Sequence, residues 1–307
     1  MVNKTVVSLC ISGLANRIDS ILGGLYLSQL FNCDFKFVWE PDAECMCEYS
    51  DIFDSYTTRN ITYQELEGMF YKQNHSTFCG MIDRKNFLIS INEEWRRYNS
   101  VPRKKKFLMR LPETHWFAAA TLDKNINDIR DKNLIIYHNA LVPDYIPYTQ
   151  LTSLLLSLKI KKYICAEATQ FITRNNININ TTGILLRKHF GVDVCSLFDV
   201  NESYYVNLID SNKDKNFYLM SDLKICEDLF NNKTNVCIYP KRSYVYWDTK
   251  YAHWRRDKNS IIDAFIGLLI LSKTNIITPS TNNKGFRSSF SELSHLYQKI
   301  KLEKLTI

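Results

Sequence analysis

The chain has 307 residues, 45% of them hydrophobic, with 18 Tyr, 17 Phe and 5 Trp, which is enough apolar material for one large or two medium cores. Nine Gly and seven Pro exclude a low-complexity or fibrous chain. The longest apolar run, 261–271, is interrupted by Asp263 and is too short to span a bilayer. A formal charge of +7 suits a partner that carries phosphate or another anion: a nucleotide, a nucleic acid or an anionic membrane surface.

Residues 5–11 read as a strand, followed by Ser12-Gly13-Leu14-Ala15-Asn16-Arg17, a helix over 18–31 and a strand over 35–39. A strand, a Gly-containing turn and a helix N-terminus form an anion site, because free backbone N–H groups and the helix dipole point above the turn. Gly13 and Asn16 are candidate contacts there, and Arg17 adds a fixed positive charge. The plain alternative is an ordinary βα turn with a surface Arg, since neither G-x-G-x-x-G nor a Walker lysine is present.

Residues 51–111 are irregular and aromatic-rich, with a strand expected over 87–90, and suit loops that shape an acceptor pocket. The run Arg103-Lys104-Lys105-Lys106 reads as a solvated loop. A strand over 134–137 and a helix over 151–171 follow, and the helix ends at the Asn175-Asn176 turn, a hinge. A second series then begins, with strands over 183–187, 217–220, 236–239 and 275–278 and helices over 260–271 and 289–301. This alternation predicts an α/β protein of two Rossmann-like domains, 1–170 and 171–307, facing a cleft.

Nine cysteines stand at positions 10, 33, 45, 47, 79, 165, 195, 226 and 237. The number is odd, and several fall in apolar patterns where Cys acts as a small hydrophobe. Cys45 and Cys47 form a C-x-C pair without a second pair at zinc spacing, so no metal site is expected. The N-terminus runs straight into a strand, without a charged leader and apolar h-region. Together these point to a reducing, cytoplasmic setting, in which the sequons at Asn60, Asn74 and Asn201 are products of an Asn-rich chain.

Four constellations in the second half can carry chemistry. In Thr182-Gly183-Ile184-Leu185-Leu186-Arg187-Lys188-His189, a buried strand ends in cations. Arg187 can clamp a diphosphate bidentately and Lys188 adds charge, unless this is a basic strand end facing water. In Phe217-Tyr218-Leu219-Met220-Ser221-Asp222, the strand ends in groups able to bond ribose or a sugar hydroxyl, or Asp222 is a helix N-cap. Asp263 is a carboxylate in an apolar helix and must find a partner. A guanine N1–H and N2–H₂ edge is one match, and a first-turn dipole interaction is the other. The fourth is Ile276-Ile277-Thr278-Pro279-Ser280-Thr281, with Phe286-Arg287-Ser288-Ser289-Phe290-Ser291 after it. Its hydroxyls before a helix suit phosphate, or Ser288 or Ser289 is only an N-cap.

In this order the motifs resemble the GT-B glycosyltransferases of the NodZ, α-1,6-fucosyltransferase and protein O-fucosyltransferase superfamily. The resemblance covers about 50 residues at the start, from Gly13-Leu14-Ala15-Asn16-Arg17 through Phe37-Val38-Trp39-Glu40-Pro41 to Cys45 and Ser50-Asp51-Ile52-Phe53, and about 120 at the end. Residues 183–188 take the place of the family's G-V-H-x-R-R strand, 218–222 that of its strand ending in Ser/Thr-Asp-Asp, 263–280 that of its helix–strand–Ser block and 288–293 that of its S-S-x-F-S helix start. The chain departs at Leu185, where the family has a His, at Lys188 for the second Arg, at Leu223 for the second Asp, and in the insertion Asn282-Asn283-Lys284-Gly285.

The resemblance implies metal-independent transfer of a sugar, fucose from GDP-fucose first, to a glycan hydroxyl with inversion. Arg187 and Lys188 would neutralise the leaving diphosphate, and Gly13, Asn16, Arg17, Ser221, Asp222, Asp263, Ser280, Ser288 and Ser289 would hold the donor. No cofactor beyond that nucleotide-sugar substrate is implied. Glu113, His115, His138 and Asp144 are candidates for the general base. A UDP-sugar transferase such as a xylosyltransferase and a non-catalytic sugar-binding homologue are the alternatives on this fold. A nucleic-acid binder is disfavoured because the aromatics lie in apolar core segments rather than beside the basic run.

Overall fold

Strand β1 (Thr5–Leu9) is buried at all five positions, as a strand covered on both faces must be. It pairs in parallel with β2 (Asp34–Val38) on one side and β5 (Leu134–Tyr137) on the other. β3 (Ser76–Gly80) joins β5, and β4 (Trp116–Ala118) completes the order β2-β1-β5-β3-β4, every pair parallel. The structure, a computed structural model, describes residues 4–72, 76–80, 116–118, 129–138, 146–186, 202–248, 253–277, 289–300 and 304. The expected strand over 87–90 and the basic run at 103–106 lie outside them.

Helix α1 (Leu14–Phe31) lies flush on one face of this sheet. A Cβ on Gly24 would stand 2.0 Å from Ser8 Oγ, and one on Gly23 would stand 2.3 Å from the Tyr137 ring. Ser8 Oγ donates to Ser20 O at 2.7 Å, and Ser20 Oγ donates to Leu9 O at 2.9 Å. These bonds satisfy buried hydroxyls across the contact. On the other face Val7, Leu9, Leu134 and Ile136 pack with Ile61, Tyr63 and Leu66, which lead into and form α3 (Tyr63–Lys72). Between β2 and α3 runs the short helix α2 (Tyr49–Ile52).

Contacts divide the chain into Met1–Leu158 with Thr249–His253, and Lys159–Asp248 with Trp254–Ile307. The single helix expected over 151–171 is corrected to two, α4 (Tyr148–Ser157) and α5 (Lys162–Arg174). Between them Leu158 and Ile160 are both buried. That two-residue spacing belongs to extended chain, and a helix cannot turn both side chains to one side.

The second unit holds β11 (Asn275–Ile277), β6 (Thr182–Leu186), β7 (Phe217–Ser221) and β8 (Val236–Ile238) in the order β11-β6-β7-β8, again all parallel. Tyr205 and Ile209 of α6 (Glu202–Asp210) pack with Ile184, Leu186, Phe217 and Leu219 on one face. α8 (Lys258–Leu271) covers the other, where Tyr218 Oη donates to Gly267 O at 3.4 Å. α5 and α9 (Ser289–Gln298) flank α8. α7 (Lys224–Asp228) follows β7, and β9 (Tyr246–Asp248) and β10 (His253–Arg255) form a separate two-stranded sheet. Cys10, Cys45, Cys47, Cys165 and Cys226 are buried free thiols. Among the described residues no helix is long and apolar enough to cross a membrane.

Candidate functional site

In open parallel sheets ligands bind outside the carboxyl ends of the strands, and each unit presents one such edge. In the first unit the chain leaves β1 and takes Ser12 into the left-handed region at φ 69°. Gly13 is the extended N-cap of α1, so the helix starts at Leu14 and not at the expected residue 18. No side chain caps this N-terminus and its first turn holds no acidic residue, which leaves its N–H groups to an outside acceptor. Asn16 Nδ2 donates to Ser12 Oγ at 3.2 Å and braces the turn.

Arg17 is not the surface residue of the plain alternative: its exposure is 0%. Its Nε donates to Ser12 O at 2.7 Å and its Nη1 to Glu40 O at 2.8 Å. Nη2 lies 2.6 Å from Asp42 Oδ2. That approach is off the N–H direction, an ion pair rather than a directed hydrogen bond. The guanidinium stands over Trp39, 5.2 Å from the ring centroid. Burial opposes its charge, but Asp42 and the neighbouring thiols override burial and hold its pKa above the ordinary Arg range. Arg17 thus ties the turn to the segment after β2, with its engaged donors facing the protein.

His138 follows β5, with Nδ1 3.0 Å from Leu9 O. A carbonyl only accepts, so Nδ1 carries the proton and Nε2 is the basic nitrogen of the neutral ring. Glu113, His115 and Asp144 lie outside the described residues.

In the second unit β6 ends at Leu186, level with Ser221 of β7. Leu185 is buried in the sheet. Arg187, Lys188, Ser280 and Ser288 lie outside the described residues, and Ser289 is the first residue of α9. Ser221 is fully buried. Its N–H donates to Glu227 Oε1 at 3.0 Å, its carbonyl accepts from Lys241 Nζ at 2.8 Å, and its Oγ accepts from Leu223 N at 3.2 Å. Lys241 also pairs with Glu227, the two side chains being 4% and 2% exposed. Glu227 Oε2 accepts from Tyr244 Oη at 2.6 Å. Asp222 is not the N-cap of α7, a place taken by Leu223. Its carboxylate lies 3.6 Å from Arg256 Nη2.

Asp263 is 0% exposed and is met by four donors. Oδ1 accepts from Arg242 Nε at 2.8 Å and Nη2 at 2.5 Å, and Oδ2 from Arg242 N at 2.6 Å and Ser243 N at 3.3 Å. The first-turn dipole reading is corrected, because α8 starts at Lys258 and its N-cap is Asp257, which accepts from Ser260 N at 2.7 Å. Asp257 Oδ2 also accepts from Ser243 Oγ at 2.6 Å. Burial opposes the charge of Arg242, while Asp263 outweighs burial and raises its pKa.

With β1, the Gly13 turn and two parallel sheets in view, the fold can be compared with solved structures. The chain is similar to NodZ α-1,6-fucosyltransferase soaked with GDP-fucose, with a TM-score of 0.58 and 12% identity over 96% of this chain and 92% of that one. The same enzyme co-crystallised with GDP gives 0.58 and 11%, over 95% and 92%. The fucosyltransferase NodZ from Bradyrhizobium gives 0.57 and 11%, over 95% and 92%. The chain has the GT-B fold of NodZ. No family model and no curated protein matches its sequence.

The NodZ likeness extends over both units, so the carboxyl edge of each sheet belongs to a shared architecture. Sequence reasoning missed Glu227, Lys241, Arg242, Ser243 and Arg256 at the second of these edges. One signal was available: Lys241-Arg242 follows β8 as Arg187-Lys188 follows β6.

Proposed function

We propose that this chain is a glycosyltransferase that moves a sugar, fucose from GDP-fucose first, to a glycan hydroxyl. The observation that carries the reading is the fold, shared over 96% of the chain with a NodZ enzyme soaked with GDP-fucose. The acceptor hydroxyl attacks the anomeric carbon with inversion as the bond to the diphosphate breaks. Arg187 and Lys188 neutralise the departing diphosphate, so no metal takes part. Gly13 and Asn16 in the first unit, and Ser221, Asp222, Asp263, Ser280, Ser288 and Ser289 in the second, hold or frame the donor. A general base contributes about 10²–10⁴-fold, and His138 is the described candidate. The buried thiols of Cys10, Cys45 and Cys165 fit a reducing, cytoplasm-like compartment.

The test is transfer from GDP-fucose in EDTA, with thermal-shift titrations of GDP, UDP and ADP beside it. A ligand that binds only the folded chain raises its stability as RT ln(1 + [L]/Kd), and GDP is expected to do so. Arg187→Ala lowers kcat/KM at least about 100-fold with an unchanged melting temperature. Stabilisation by UDP and not GDP would replace the donor with a UDP-sugar, and stabilisation by none of the three would sink the transferase reading.

A further inference from the structure

We propose that Arg242 is a donor-binding residue: its guanidinium, clamped on the buried carboxylate of Asp263, turns its outer N–H edge toward two adjacent acceptors of a nucleoside diphosphate. The inference rests on the nucleotide-sugar reading above and changes which side chain meets the ligand.

Donors and acceptors decide the matter. A carboxylate offers about four lone-pair sites, and the four N–H groups of Arg242 and Ser243 occupy those of Asp263. With 0% exposure, that carboxylate has no free edge for a base. Arg242 carries five N–H donors. Nε and one N–H of Nη2 serve Asp263, and the other three meet no acceptor among the described residues. The Arg242 side chain is 43% exposed, and it stands just past β8, at the edge where parallel sheets receive ligands.

The loop is built to hold this fork still. Three consecutive residues are each anchored separately: Lys241 reaches Glu227 and Ser221, Arg242 reaches Asp263, and Ser243 reaches Asp257. An immobilised fork loses little freedom when a ligand arrives. Its outer edge matches two phosphate oxygens or the O6 and N7 of guanine. A lysine there would be a point charge without the paired geometry.

The experiment is calorimetric titration of the full chain and of Arg242→Lys with GDP, guanosine and pyrophosphate. Arg242→Lys keeps a cation over Asp263 and is expected to weaken GDP binding about ten- to a hundredfold with little change in melting temperature. An added loss for pyrophosphate places the fork on the diphosphate, and an added loss for guanosine places it on the base. If Arg242→Lys fails to fold, the neutral pair Arg242→Gln with Asp263→Asn leaves no buried charge unpaired and carries the same comparison. A folded variant that binds GDP as the wild type does overturns the role of Arg242 and leaves the transferase reading standing. A wild-type chain that binds none of GDP, guanosine and pyrophosphate here, and that UDP does not stabilise in the thermal-shift titration, overturns both.

Discussion

Arg17 and Arg242 each lie against an Asp at the carboxyl edge of a parallel sheet, yet they face opposite ways. In the first unit the arginine is buried at 0% exposure and its partner Asp42 keeps 12%. In the second the carboxylate is buried at 0% and the arginine keeps 43%. Whichever member lies beneath becomes framework, and the other one meets the solvent. A basic residue after a strand is therefore not enough to mark a ligand contact. What matters is whether its counter-ion lies below it or outside it.

The sharpest way to break this contrast is Arg17→Met, which takes the side-chain donor from the carbonyls of Ser12 and Glu40 and the cation from beside Asp42. Breaking a buried pair in this way costs about 3–5 kcal/mol, read as unfolding free energy in denaturant. A loss below about 1 kcal/mol would mean that Arg17 is not framework. A smaller effect sharpens the second unit. Tyr244→Phe removes one hydrogen bond to Glu227 and should lower stability by about 1 kcal/mol, while Lys241 still holds Ser221.

The last test is a pH slope. Burial pushes the thiol of Cys165 up from 9.0 to about 12 and that of Cys237 from 9.0 to about 11. Above pH 9 the unfolded chain therefore loses protons that the folded chain keeps. Stability is fully present below about pH 9 and falls as pH rises toward 11–12. Melting temperatures across that range should decline, and Cys237→Ala should flatten the curve between about pH 9 and 11; an unchanged slope would show that this thiol does not contribute.

The strands with long apolar runs were legible, because a strand buried on both faces writes its burial directly into sequence. β1, the Gly13 turn and α1 were therefore visible, though α1 starts a turn earlier because Gly13 caps it. The strands β4, β9 and β10 were not: β9 and β10 each place a charged or ionisable residue beside their aromatics, so no apolar run marks them as it marks the equally short β8 and β11. Neither was the break between α4 and α5, where Leu158 and Ile160 continue an apolar pattern in a different geometry. Asp263 announced that it needed a partner, because it sits in an apolar helix. The partner stayed hidden, because Arg242 lies 21 residues away and polar pairing across loops leaves no repeat in the chain.

The spacing of the 241–243 anchors has a consequence for the order in which the protein assembles. Lys241 lies 14 residues from Glu227, Ser243 14 from Asp257 and Arg242 21 from Asp263. By contrast, the bond from His138 to Leu9 in the first unit spans 129 residues. By the logarithmic cost of closing a flexible loop, the longer closure is about 1.6 kcal/mol more unfavourable than the 21-residue one. The second unit's edge is thus made from short-range closures of the kind that speed folding, whereas the central strand pair of the first unit waits on the meeting of distant segments.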